Sequence, residues 1–177
     1  MSYSKQAARQ IADSMVILVD TREQKWDHIK DFFDIEAIPY VRHKLDHGDY
    51  SFMIPANEKY GITEDMYFDD RIMIERKASL DELSGNFTRN RDRFVREMTG
   101  APSNKVLMVE DAKYDDIVNH KYRSQFDSGA YIASLHAFWV KYDLPTFFVE
   151  KNYAWYFIYH HLHTYAQEYF RGELTNE

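Results

Sequence analysis

Apolar positions along the chain fall into short runs between polar stretches, and the spacing within each run indicates an element. MVILVD (15–20) is a continuous apolar run with β-branched residues, the mark of a buried strand. Over residues 21–38 Trp26, Ile29, Phe32 and Phe33 recur at helical spacing after a polar start at Asp20–Thr21. PYVRHKL (39–45) opens on proline and alternates, and GDYSFMIP (48–55) lies between a glycine and a proline; both read as strands. The polar stretch from Asn57 to Glu64 then leads into MYFDDRIMIERK (66–77), read as one strand pairing antiparallel with the last across a long loop.

SLDEL (79–83) starts on serine with acids early, a favourable helix N-terminus. FTRNRDRFVREM (87–98) reads as a basic helix or a loop leading into one, broken by Gly100, Pro102 and Ser103. A strand (105–111), a short helix at YDDIVNH and an amphipathic helix (128–144) follow; the last is expected to put Ile132, Leu135, Trp139 and Tyr142 on one side. PTFFVEK (145–151) reads as a strand and residues 152–170 as a closing helix. Residues 1–14 are expected to be an arm or short helix, 15–170 one domain and 171–177 a polar tail. Strands alternating with helices predict an α/β core.

Composition narrows the class. The chain has 177 residues, 45% of them hydrophobic, with 14 Tyr and 12 Phe, ample material for a core. It has no cysteine, which excludes disulfides and thiolate metal sites and fits a reducing cytoplasm. No run is apolar enough to span a membrane, and the N-terminus lacks the apolar segment of a signal peptide. A net charge of −7 argues against broad, non-specific nucleic-acid binding. Yet between Arg71 and Arg96 seven basic residues face four acidic ones, so positive charge gathers around IMIERK.

That strand ends on three consecutive charges. Side chains alternate faces, so Glu75 and Lys77 share one face while Arg76 shares the other with Ile74. A carboxylate and an ammonium two residues apart form the second half of a metal-nuclease constellation. Its first half is an acid on the neighbouring strand, and Asp49, just after Gly48, supplies one. Hard cations such as Mg²⁺ or Mn²⁺ prefer carboxylate and water oxygens. Such an ion acidifies its water and shields phosphate charge, while Lys77 would orient or help deprotonate that water or stabilise developing charge. Asp20 and Glu23, three apart in VDTRE, are expected on one face of an opening helical turn, joining the same site. Each piece alone is ordinary: most E-x-K triplets are solvated strand ends, and most Gly-Asp pairs are turns.

Together, VDTRE, GDY and IERKASLD resemble the nuclease domain of the XPF family of structure-specific endonucleases. The family signature is GD, a variable gap, ERK, three residues and D; Gly48–Asp49, Glu75–Arg76–Lys77 and Asp81 fill it. DRFVREM before VLMVED, then a helix, TFFVEK and a final helix, follow the family order, so the resemblance spans about residues 15 to 165. It implies a central mixed β-sheet flanked by helices, in a restriction-nuclease-like core. It implies a metal-dependent endonuclease, using Mg²⁺ or Mn²⁺, that cuts branched, flapped or single-strand-containing DNA. Asp49 and Glu75 are implied as metal ligands, with Asp20 and Glu23 as supporting acids, Glu23 the stronger ligand candidate. Lys77 is implied as the catalytic lysine. Arg76 and Arg22 would organise the site or contact phosphate, and Asp81 would sit behind them, pairing with Arg76 or Arg22.

Cellular relatives usually carry a helix-hairpin-helix module after this domain, and the chain ends before one could start. Substrate choice is therefore expected from the nuclease domain, a dimer or a protein partner. Small stand-alone domains of the family occur in phages and prokaryotes, which points to a bacterial or phage-infected cytoplasm. The competing reading is an adaptor that keeps the fold and pairs with a nuclease; the intact acids favour the enzyme. An RNA-directed nuclease is a third reading.

Three further features stand out. Arg89, Arg91 and Arg93 alternate, with Arg96 beyond, and read as a phosphate-contacting patch. His160 and His163 share a helical face, but without cysteine they read as surface or interface histidines rather than a zinc site, and His43 and His47 flank the Asp49 region. The last helix is aromatic nearly all round, so one face is expected in the core and another in a homodimer interface.

Overall fold

The computed structural model describes residues 2–174. Its N-terminal half contains α1 (Lys5–Ala12), β1 (Val16–Asp20), α2 (Asp27–Ile35), β2 (Tyr40–His43), β3 (Tyr50–Ile54), β4 (Met66–Tyr67) and β5 (Ile72–Lys77). Then follow α3 (Leu80–Phe87), α4 (Arg91–Gly100), β6 (Asn104–Glu110), α5 (Tyr114–Val118), α6 (Ser128–Tyr142), β7 (Thr146–Val149) and α7 (Ala154–Arg171). The seven strands form one sheet in the order β2-β1-β3-β5-β6-β7, with β4 pairing β3. β1 is parallel to β2, and β5, β6 and β7 are mutually parallel, while β3 runs antiparallel to β1, β4 and β5. The sheet is therefore mixed, with helices on both faces, as the resemblance implied.

Strand alternation splits the core into two layers. On one face Ile17, Val19, Phe52, Ile72, Ile74 and Met108 pack with α1, α2 and α7. On the other Met73, Leu107 and Val109 pack with α3, α4 and α6. The stripe that α7 buries, Ile158, Leu162, Ala166 and Phe170, recurs every fourth residue, as one helix face requires. Ser4 caps α1 by accepting the Ala7 N–H, and Ala8, Ile11 and Ala12 are buried, so this segment is a packed helix.

Three local expectations fail for identifiable reasons. Residues 66–77 are two strands rather than one. Phe68 is buried with its ring centroid 4.4 Å from that of Phe52, and its carbonyl accepts the N–H groups of Arg71 and Ile72, turning the chain between β4 and β5. The helix expected after Asp20 starts only at Asp27, because the Asp20 carboxylate takes the Arg22 backbone N–H at 2.9 Å and holds a turn. Helix α6 buries Tyr131, Leu135 and Phe138, and Trp139 is 51% exposed. Phe138 sits 5.0 Å from Phe94 and 5.1 Å from Phe87, and the Tyr131 hydroxyl donates to the Leu80 carbonyl, so the aromatics facing α3 and α4 set the rotation of the helix.

The feature that positions the site is the seam between β3 and β5. These strands share one residue pair, Tyr50 with Ile74. Around it, irregular bonds replace the ladder: the Ser51 hydroxyl donates to the Ile72 carbonyl at 2.8 Å, and the Asp49 N–H donates to the Ile74 carbonyl at 2.9 Å. Gly48 leads into this seam at φ 74°, and a Cβ there would overlap Met73 Sδ and lie 3.2 Å from the Ile74 carbonyl oxygen. The glycine is needed for both its backbone conformation and its closeness to β5. Gly48→Ala is expected to destabilise the protein by about 2 kcal/mol or more, read as a lower denaturation midpoint in urea. A midpoint equal to that of the wild type would show that the seam tolerates a side chain.

Candidate active site

Asp20, Asp49, Glu75 and Lys77 line one cleft of about 350 Å³, together with Arg22, His47, Glu82, Arg89, Arg93 and Glu97. Asp20 ends β1 and Glu75 and Lys77 end β5, so the alternation of three adjacent strands brings these charges to one face. The backbone of Asp49 joins those strands: its N–H donates to Ile74 and its carbonyl accepts the Asp20 N–H, both at 2.9 Å. Its carboxylate accepts the Arg76 N–H at 2.8 Å. Glu75 and Lys77 are only 9% and 8% exposed, and their side chains pair at 2.7 Å. Arg22 chelates Asp20 through Nε and Nη2, and its Nη2 also donates to the Leu45 carbonyl at 2.7 Å.

On the opposite face lies a second charged group. The Arg76 guanidinium donates to both Glu110 oxygens at 2.8 Å and reaches Glu23 at 3.3 Å. His28 Nε2 lies 2.7 Å from Glu110 Oε1. Burial alone would raise the Glu110 carboxyl, but its bonds from Arg76 and His28 hold it below the usual range. Neither Glu110 nor His28 emerged from the sequence. Glu110 ends β6 two residues past Met108, the register partner of Arg76, and so shares its face; only the β5–β6 pairing, which sequence alone does not set, reveals this. His28 is a lone histidine on an amphipathic helix and leaves no signal.

The structure thus separates residues expected together. Asp20 faces the cleft, whereas Glu23 turns behind it to Arg76, because no helical turn aligns the two. Asp81 pairs with neither Arg76 nor Arg22; it accepts the backbone N–H groups of Arg123 and Ser124 at 2.9 and 2.7 Å, since the start of α3 faces that loop. Arg89 and Arg93 line the cleft, while Arg91 turns to α6, donating to Ser134 at 3.1 Å and lying over the Phe138 ring. Arg96 is exposed outside the cleft. His47 lines the cleft, His43 stacks on Tyr67 instead, and His163 pairs with Asp13 at 2.8 Å. No helix among the described residues is long and apolar enough to cross a membrane.

Comparison with known proteins gives a consistent result. The family model described as the ERCC4 domain matches residues 19–159. Among solved structures, XPF from Aeropyrum pernix superposes with a TM-score of 0.62 at 17% identity, covering 92% of this chain and 65% of that one. XPF from Aeropyrum pernix in complex with DNA gives 0.60 at 15% identity, covering 86% and 65%. The chain thus spans about two thirds of the length of each of those chains. No curated protein matches by sequence.

Electrostatics tests whether the cleft suits a metal. Among the described residues, no three histidine or carboxylate side chains are grouped closely enough to hold one unaided. Mg²⁺ needs less, since it keeps several waters and takes one or two carboxylates. Asp49 and Glu75 fit that demand: both are oxygen donors, and Asp49 has no ion-pair partner among the described residues. Burial, and then the charge of Glu75, raise the Asp49 carboxyl well above its usual range. Burial would lower the Lys77 ammonium, but Glu75 and Asp49 outweigh it and hold the group firmly charged. Without a metal, then, Lys77 is a donor and a charge rather than a base.

The raised Asp49 value implies a linkage with a definite sign. The folded protein holds this proton to higher pH than the unfolded chain, so stability is lost as pH rises through the folded value and none is lost below the unfolded value near pH ~4. Asn at this position can accept the same Arg76 N–H without the charge. In EDTA, Asp49→Asn is expected to melt above the wild type at about pH 8, and the gain to vanish at about pH 4. Each kcal/mol relieved corresponds to about 2–4 °C at this size. A variant melting at or below the wild type at the higher pH would contradict the assignment.

Proposed function

The chain belongs to the ERCC4 domain family, and on that premise we propose that it is a divalent-metal-dependent endodeoxyribonuclease acting on branched, flapped or single-strand-containing DNA. The observation carrying this reading is the Asp49–Glu75 pair: two neighbouring carboxylates in one cleft, with Asp49 left without an ion-pair partner among the described residues. When bound, Mg²⁺ or Mn²⁺ supplies Lewis-acid charge and acidifies the attacking water. Asp49 and Glu75 would hold the ion, and Asp20, kept in place by Arg22, faces the same volume. Glu23 joins this set only by releasing Arg76. Lys77 keeps its proton and donates to the phosphoryl oxygen or the attacking water, stabilising charge as it develops. Arg76, enclosed by Glu110 and Glu23, fixes the strand end instead of binding phosphate. Arg89 and Arg93 stand at the cleft, where they contact the DNA backbone.

The domain occupies 15–170, with α1 packed beneath it. A homodimer is proposed through the α7 side, where Tyr153, Tyr156 and Phe147 are exposed. Sedimentation equilibrium is expected to return twice the chain mass, and a single-chain mass would contradict the dimer.

The enzymatic reading is tested by cleavage of a labelled panel: duplex, single strand, flap, fork, four-way junction and an RNA counterpart. Wild type is expected to cut branched or single-strand-containing DNA with Mg²⁺ or Mn²⁺ and not in EDTA. Asp49→Ala and Lys77→Ala are each expected to lose about 10²-fold or more in rate. If a well-folded wild type cuts nothing with either metal, the chain is an adaptor of the same fold, acting with a partner nuclease.

A further inference from the structure

Beside the cleft lies a second groove. It holds about 660 Å³ and runs between α3 and the loop entering α6, with Ser84, Gly85 and Thr88 on one side and Arg123, Ser124 and Gln125 on the other. Gly85 and Arg89 line both the groove and the candidate active cleft, so the two adjoin at α3. A Cβ on Gly85 would lie 3.3 Å from the Arg89 guanidinium, so the missing side chain leaves room for Arg89 to lie across α3 at the junction.

The groove's charges are disposed unevenly. Arg89 is exposed and makes no ion pair among the described residues. The Arg123 side chain is 93% exposed, with only a 3.4 Å approach to Asp81, while its backbone N–H and that of Ser124 are pinned to the Asp81 carboxylate. The loop is fixed and the guanidinium stands out from it. Asp81 is thereby occupied by donors, and the other acid, Asp127, caps α6 by accepting the Ala130 N–H at 2.9 Å. The Ser124 hydroxyl is buried without a hydrogen-bond partner among the described residues. Phe126 packs on Tyr131 at 5.3 Å, and the Ser84 and Thr88 hydroxyls donate to the Asp81 and Ser84 carbonyls, so the groove offers guanidinium groups rather than a free aromatic face.

We propose that this groove carries the phosphodiester backbone of a single strand leaving the cleft, with Arg89 at the junction and Arg123 at the far end. The proposal rests on the nuclease reading and adds to it a subsite for the single-stranded part of the substrate. The lining recognises phosphate and not base, so it is indifferent to sequence. A single strand can bend out of the cleft and along the groove, whereas a duplex, with a persistence length of about 50 nm, keeps straight over such a distance.

Salt dependence of binding tests this directly. Affinity is measured in EDTA for duplexes carrying single-stranded tails of none, about four and about eight nucleotides, in both polarities. For one polarity the wild type is expected to bind more tightly as the tail lengthens, with a steeper dependence on salt. Arg123→Ala is expected to make the log–log salt slope shallower by about 0.7 of a unit, the value for one phosphate contact on a single strand. Arg123→Lys should restore it. Gln125→Glu, which leaves the Arg123–Asp81 contacts in place, should weaken tailed DNA through repulsion and settles the matter if Arg123→Ala does not fold. Tail-dependent binding that is untouched in Arg123→Ala and Gln125→Glu overturns the groove and leaves the nuclease reading standing. A wild type that binds no DNA overturns both.

Discussion

The architecture of the site depends on Asp49 at the point where β3 parts from β5. One residue supplies a backbone donor to Ile74, a backbone acceptor for Asp20 and a side-chain acceptor for the Arg76 N–H. Three strands are joined there by bonds that an ordinary ladder would have made between backbones alone. The cost is a carboxylate in a place that disfavours its charge, beside a second carboxylate of the same sign. Such an arrangement opposes folding unless a cation later occupies it, and unfavourable electrostatics of this kind concentrate where chemistry is done.

The period of a β-strand then distributes the remaining charges. Glu75 and Lys77 face the cleft while Arg76, between them, faces away into Glu110, Glu23 and His28. Three adjacent charges on one strand thus do different work. The outer two form a chemical surface and the middle one anchors the strand end to β6 and α2. Buried ion groups are costly when one partner is lost, so the anchor holds its geometry tightly whether or not the cleft is filled. The aromatic layers beneath fix the sheet: Phe52, Phe68 and Tyr165 on one side, Phe87, Phe94 and Phe138 on the other.

The mixed α/β sheet, most of the element order and the cleft residues Asp20, Asp49, Glu75 and Lys77 could be read from the chain. These features arise from local period and from a signature whose spacing the fold demands. What could not be read depends on contacts between distant segments. The rotation of α6 is set by aromatics on α3 and α4. The break after Tyr67 is set by Phe68 stacking on Phe52. The separation of Glu23 from Asp20 follows from the tight turn between them, in which the Asp20 carboxylate takes the Arg22 N–H and its carbonyl the Glu23 N–H. Glu110 needs the parallel register of β5 and β6, and Asp81 the position of a loop more than forty residues later in the chain.

The central claim is that the Asp49–Glu75 pair is kept for a divalent cation. Calorimetric titration of the folded, DNA-free protein with Mn²⁺, repeated in buffers of different ionisation enthalpy, tests it most directly. The account predicts binding that releases protons, because the raised Asp49 carboxyl must give up its proton to coordinate, and loss of that binding in Glu75→Gln and Asp49→Asn. Mn²⁺ binding that persists unchanged in both variants would place the ion elsewhere and contradict the account.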